Sequence, residues 1–176
     1  MRERTMTLPL ILTLMLDEPG FDRLDALRRT HFPPERNLIP AHVTLFHHLP
    51  GGEEAAVLAH LRQACAKAAP FPLRVAHPRS LGRGVALAVE GEALSTLRAR
   101  LATAFAPWLV PQDRQGFRPH VTVQNKVTPD AARALLVEMQ ATFVPFAIEA
   151  RGLLLWRYLG GPWDQAAALP FAGVGR

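Results

Sequence analysis

The sequence predicts an α+β fold built as a bilobal, pseudo-twofold duplication. Two antiparallel sheets face a central groove, and helices cover their outer faces. Three observations predict it. Strand-like and helix-like stretches alternate across short proline- and glycine-bearing turns, which favours antiparallel sheets with helices packed outside. The order strand, helix, strand, helix, strand occurs twice along the 176 residues. Two copies suggest a facing pair rather than a solenoid, which needs at least three. The middle strand of each copy also carries the same short string, "HVTL" at 42–45 and "HVTV" at 120–123.

Taken in order, Leu8 to Leu16 is a short, unbroken apolar run that suits a central strand. Pro19 opens a helix to about His31, where Phe21, Leu24 and Leu27 form an apolar stripe. "FPPERNLIP" is a proline-bounded loop, and "AHVTLFHHL" is the next strand. "PGG" breaks the chain before a helix from about Glu53 to Ala68, with Val57, Leu58, Leu61 and Cys65 on one face. "PFPLRVAHP" and "GVALAVEG" read as strands, the first edged by prolines. The second copy then runs through a helix (93–105), the strand "HVTVQNKV" and a helix (129–140) to the strands "VPFAIEA" and "LLLWRYL". "WDQAAALPF" closes the chain as an edge strand. The halves divide near residue 80, giving lobes of about 1–80 and 81–176 within one domain.

Composition narrows the function classes. Apolar residues make up 49% and charged residues 20%, which excludes a disordered chain. The net charge is +5 and the pI about 10.6. Arginine supplies nearly all of the positive charge, since Lys67 and Lys126 are the only lysines. Guanidinium forks suit phosphate, but scattered arginines also accompany an Ala-, Pro- and Leu-rich composition. Cys65 is the only cysteine, so an internal disulfide and a cysteine-based metal site are excluded. Two arginines ahead of the first apolar run imitate a secretory signal. However, no small-x-small cleavage site follows, and the run meets "DEPGFDRL". The run is also far short of the roughly 20 residues that span a bilayer. No membrane segment is expected, and the expected location is the cytoplasm.

The repeated string carries the chemistry. Side chains alternate along a strand, so His42 and Thr44 share one face while Val43 and Leu45 share the other. His120 and Thr122 stand likewise against Val121 and Val123. With 7 histidines and 10 threonines, about 0.4 His-x-Thr triplets are expected by chance, so one alone means little. Two at equivalent places in a duplication mean more. The plain alternative is a pair of polar residues on an exposed strand face. Two imidazoles across a cleft can divide acid and base work, because a free imidazole titrates near pH 6.5. The threonine hydroxyls can donate to a phosphate oxygen as its charge develops. Displacement at phosphorus, with nucleophile and leaving group on opposite sides, suits this layout. It calls for neither metal nor cofactor.

These motifs, with the lead-in "FRPH" at 117–120, resemble the 2H phosphoesterases. Within that superfamily the chain is similar to the bacterial 2′-5′ RNA ligase group, whose members act as RNA 2′,3′-cyclic phosphodiesterases. The resemblance spans nearly the whole chain. It implies a bilobal fold with both motifs in the groove, His42 and His120 as catalytic groups, and Thr44 and Thr122 as phosphate holders. It further implies a metal-independent opening of 2′,3′-cyclic phosphates on RNA ends or nucleotides. We expect His120 to activate water and His42 to protonate the departing 3′ oxygen. The substrate is then an RNA terminus or nucleotide with a cyclic phosphate or a 2′-5′ linkage, bound by a monomer. Ligation or cleavage of 2′-5′ linkages is one alternative, and a non-catalytic RNA- or nucleotide-binding module is another.

Two further residues are expected to bind substrate. Phe46 continues the His42 face and is placed to stack on a base. Arg118 precedes the second motif and can clamp a phosphate through two donors. His47 and His48 read as surface or strand-end residues pointing to opposite faces, with no carboxylate cluster to suggest a metal site. Trp156 and Tyr158 are secondary stacking candidates, with core packing as their first reading.

Overall fold

A computed structural model describes residues 7–173, so the arginine-bearing start of the chain lies outside the described residues. Among the described residues seven strands form: β1 (Leu10–Leu16), β2 (Thr44–Leu49), β3 (Phe71–Ser80), β4 (Val85–Glu90), β5 (His120–Gln124), β6 (Phe146–Tyr158) and β7 (Trp163–Pro170). The helices are α1 (Glu18–His31), α2 (Glu54–Lys67), α3 (Glu92–Ala104), the single turn α4 (Pro111–Arg114) and α5 (Pro129–Thr142). The duplicated order expected from the sequence is present.

All strand pairs are antiparallel, in the order β2-β1-β6-β3-β4-β5, with β7 on β6. β6 joins the two halves. It pairs with β1 along one edge and, along the other, first with β3 (146–150) and then with β7 (152–158). The curled sheet therefore has two arms, β2-β1-β6-β7 and β6-β3-β4-β5, and each motif strand forms the end of its arm. The sequence reading split β6 into two strands. Gly152 lies at that division, where a side chain would meet the Leu169 carbonyl of β7 at 2.4 Å. The glycine admits the neighbouring strand and does not break its own.

The first helix of each half crosses to the other arm, while α5 stays on β3 and β4 of its own. α1 packs on β5 and β6, whereas α3 packs with α2, which in turn covers β6 and β7. The buried line of α1 is Gly20, Leu24 and Arg28, flanked by half-buried Phe21 and Leu27. Gly20 lets the helix touch the sheet, since a Cβ there would lie 2.8 Å from Ile148. Asp17 caps α1 by accepting from the Gly20 N–H, and its other oxygen accepts from the Glu149 N–H of β6. α2 buries Val57, Leu61 and Cys65, close to expectation. One apolar cluster runs through both arms, from Leu12 and Leu14 to Leu87, Val121 and Leu153. Burial of each such side chain contributes about 1.5–3 kcal/mol. None of the described helices is long and apolar enough to cross a membrane.

Candidate active site

Regular pairing of β2 begins at Thr44, so His42 lies just ahead of the strand. The Val43 carbonyl still accepts from the Leu14 N–H. α1 sets the approach to it: Asp25 accepts from the Ala41 N–H at 2.9 Å, and Arg28 donates to the Asn37 side chain at 2.8 Å. His120 is the first residue of β5, opposite Ala88 of β4. The two rings are held alike. His42 Nδ1 lies 2.8 Å from the carbonyl of Pro40, and His120 Nδ1 lies 2.9 Å from that of Arg118, each two residues upstream. A carbonyl only accepts, so at His42 this contact places a proton on Nδ1 and leaves Nε2 as the working nitrogen, and the Arg118 carbonyl calls for the same tautomer at His120.

Charge and burial differ around the two rings. Burial, with Arg28, His120 and His47 nearby, takes His42 down to about 4 despite the Pro40 hydrogen bond. Burial also lowers His120, and Arg79 and Arg118 add to the effect. Arg79 Nη2 stands 2.8 Å from His120 Nδ1 and, being only a donor, can bond that nitrogen only in the opposite tautomer, with the proton on Nε2. In the free protein both imidazoles are therefore neutral near neutral pH. An anion arriving between them would favour protonation of either ring.

Two cavities flank the motifs. The Trp163 ring stands over His42, with centroids 4.8 Å apart. It walls an apolar cavity of about 330 Å³ with Phe21, Leu38, Ile39 and Trp156. Trp156 is fixed by its Nε1–H, which donates to the buried Thr13 hydroxyl at 3.0 Å. Two residues on from His42, Thr44 borders a polar cavity of about 300 Å³ shared with His120, Arg79, Arg118 and His47. The apolar cavity suits a planar ring, and the polar one suits an anion.

Each motif strand is braced from the opposite half. Arg28 on α1 is buried and donates to the Thr122 carbonyl of β5 at 3.0 Å. Arg98 on α3 is buried and donates to the Leu45 carbonyl of β2 and to the Asp113 carbonyl, both at 2.7 Å. Burial lowers Arg28 to about 10, opposed by Asp25, so it remains charged at neutral pH.

Phe46 requires a correction, because it is fully buried and cannot meet a ligand. The step from Thr13 to Leu12 on β1 is matched by the step from Thr44 to Phe46 on β2, a β-bulge. The extra residue breaks the alternation and turns Phe46 into the core. There it meets Phe105 edge-on at 5.3 Å and lies under the Arg98 guanidinium at 3.9 Å. His47 and His48 are both exposed, as expected of surface residues, and only His47 borders the polar cavity. Thr122 is half-buried on β5, and Arg118 is exposed at the mouth of the polar cavity. Sequence reasoning missed Trp163, Arg79 and the arginine braces, and it set His47 aside. Nothing local marks a lone tryptophan or arginine that reaches its partners across the sheet. Among the described residues, no three His, Cys, Asp or Glu side chains converge as metal ligands.

The family model of the 2′-5′ RNA ligase superfamily matches residues 16–162. Among solved structures, the chain resembles the TT0787 protein of Thermus thermophilus, with 19% identity and a TM-score of 0.70. That match covers 95% of this chain and 100% of the other. Escherichia coli LigT complexed with 3′-AMP is 18% identical, with a TM-score of 0.62 over 93% and 98% of the two chains. The same protein complexed with NADP+ is 17% identical, with a TM-score of 0.61 over 95% and 99%. No curated protein sequence matches the chain.

Proposed function

We propose that this chain, which belongs to the 2′-5′ RNA ligase superfamily, is a metal-independent phosphodiesterase that opens 2′,3′-cyclic phosphates on RNA ends or nucleotides. The observation that carries the reading is the matched hold on the two motif histidines, each with Nδ1 on the carbonyl two residues upstream. Paired imidazoles with free Nε2 atoms, and a threonine two residues beyond each, fit in-line displacement at phosphorus. The nucleotides bound to Escherichia coli LigT support a nucleotide-sized ligand here.

His120 takes a proton from water at Nε2 as the water oxygen bonds to phosphorus. The bond from phosphorus to the 3′ oxygen breaks, and that oxygen takes a proton from His42, leaving a 2′-phosphate. Cationic neighbours flank both rings, Arg28 at His42 and Arg79 with Arg118 at His120. The guanidiniums of Arg79 and Arg118 beside His120 favour its neutral ring. Burial is the main cause of the low His42 value, and a bound phosphate offsets it. Thr44 and Thr122 donate to the non-bridging oxygens, and Arg118 adds charge at the groove mouth.

The test is turnover of a 2′,3′-cyclic-phosphate oligonucleotide and of a 2′-5′ dinucleotide in EDTA, by wild type and by the His42→Ala and His120→Ala variants. Cyclic-phosphate opening lost in both variants supports the reading. Unchanged activity in either variant sinks it. Turnover of the dinucleotide alone points to 2′-5′ linkages, and turnover of neither points to a binding module.

A further inference from the structure

The polar cavity holds more cationic chemistry than one cyclic phosphate requires. Arg79 borders it with a buried Nε that has no hydrogen-bond partner among the described residues. Buried polar atoms left unmet are rare in folded proteins, and each calls for an account such as strain, a catalytic role, a water or an ion. His47 faces the same cavity, and its orientation is built in. Its Nδ1 lies 3.1 Å from Asp113 Oδ1. The Asp113 carboxylate, almost completely buried, also accepts from the backbone N–H groups of His47 and His48 at 2.9–3.0 Å. Burial alone would raise that carboxyl, but these hydrogen bonds outweigh it and hold Asp113 below the usual range. Its charge is therefore committed to holding the loop and the ring, and Nε2 of His47 is left for the cavity. Arg118 completes the cationic wall.

The shape of a nucleotide gives this wall a purpose. On a ribose, the base at C1′ and the 5′ carbon at C4′ diverge to opposite ends, while the 2′,3′ edge lies between them. A 2′,3′ phosphate at the motif pair, with the base in the apolar cavity beyond His42, sends the 5′ substituent toward the polar cavity beyond Thr44. We propose that this cavity is a second anion subsite, in which Arg79, His47 and Arg118 bind the phosphate group on the 5′ oxygen of the reacting nucleotide. The substrate class is then a nucleotide with two phosphate-bearing ends, in place of a bare nucleoside cyclic phosphate. This deepens the phosphodiesterase reading and rests on it for the placement of the 2′,3′ edge.

Titration calorimetry of the whole protein tests it with three product-like probes: adenosine 2′-phosphate, adenosine 2′,5′-bisphosphate, and an ApA dinucleotide ending in a 2′-phosphate. The bisphosphate should bind at least tenfold more tightly than the monophosphate. That ratio should fall to threefold or less in His47→Gln and in Arg79→Gln. The Gln variants keep polar side chains, and the backbone N–H bonds to Asp113 remain to hold the loop. A matching gain for the dinucleotide makes the internal diester of an RNA chain the source of the second phosphate. A gain for the bisphosphate alone makes it a terminal 5′-phosphate. Equal affinities for all three probes in the wild type, or no measurable binding of any, overturn the subsite. So does a ratio that survives both substitutions. Turnover of adenosine 2′,3′-cyclic phosphate that also carries a 5′-phosphate is measured separately. Its absence beside an intact tenfold ratio refutes the reaction and leaves the anion site standing.

Discussion

Arg98 offers the sharpest energetic test. Replacing it with methionine (R98M) removes two 2.7 Å hydrogen bonds to the carbonyls of Leu45 and Asp113, and the stack over Phe46 at 3.9 Å. Hydrogen bonds from a charged donor contribute about 1.5–3 kcal/mol each, and a desolvated cation–π contact about 1–2 kcal/mol. Against this, methionine refills much of the side-chain stem and removes a charge whose burial was itself costly. The expected net loss is about 3 kcal/mol, a large part of the 5–15 kcal/mol typical of a folded domain. For a chain of this length it lowers the thermal midpoint by about 6–12 °C. In urea the midpoint concentration should fall with the slope unchanged. Leu45 follows Thr44 directly, so turnover of a cyclic phosphate should also fall at least tenfold where the variant is still folded. A loss under about 1 kcal/mol, well below one charged hydrogen bond, would refute the brace.

Further predictions concern the groove. His42 is lowered to about 4 in the fold, so between about pH 6.5 and 4 the unfolded chain binds the extra proton and stability falls as pH falls. Thermal midpoints should drop less steeply across that window in His42→Gln than in the wild type. The free protein must carry one imidazolium to react, and both rings titrate below the ordinary imidazole value, so kcat/KM should already be falling with rising pH below about pH 6.5, and a flat profile would exclude the paired-histidine mechanism. Trp163→Ala should raise KM for a purine substrate about tenfold, within the 1–3 kcal/mol of one base stack, with kcat less affected. Excess EDTA should leave the rate unchanged; a loss restored by a divalent cation would disprove metal independence.

The legible parts of the sequence were those with a local period. The apolar stripes placed the main helices within a few residues, and the alternation of Val121 and Val123 with His120 and Thr122 survives intact on β5. On β2 the same alternation failed at Phe46, because the bulge arises from pairing with β1 and leaves no mark in "TLFHH". Arg28 and Arg98 resembled ordinary solvated helix charges. Their partners lie 94 and 53 residues away, beyond any window in which periodicity is read. His47 gains its meaning from Asp113, 66 residues on. Trp163 opens an edge strand, where composition alone cannot separate a cap from a wall.

The traded helices alter what a half of this molecule means. Each half sends its first helix across to grip the reacting strand of the other, so neither half contains a complete support for its own histidine. Cutting the chain at the turn between Ser80 and Val85 would yield fragments that must interlock before either strand is secured. The groove is thus set by a mutual clasp, and its width cannot change as a simple hinge would allow. Opening it means drawing a buried guanidinium off a backbone carbonyl on both sides at once.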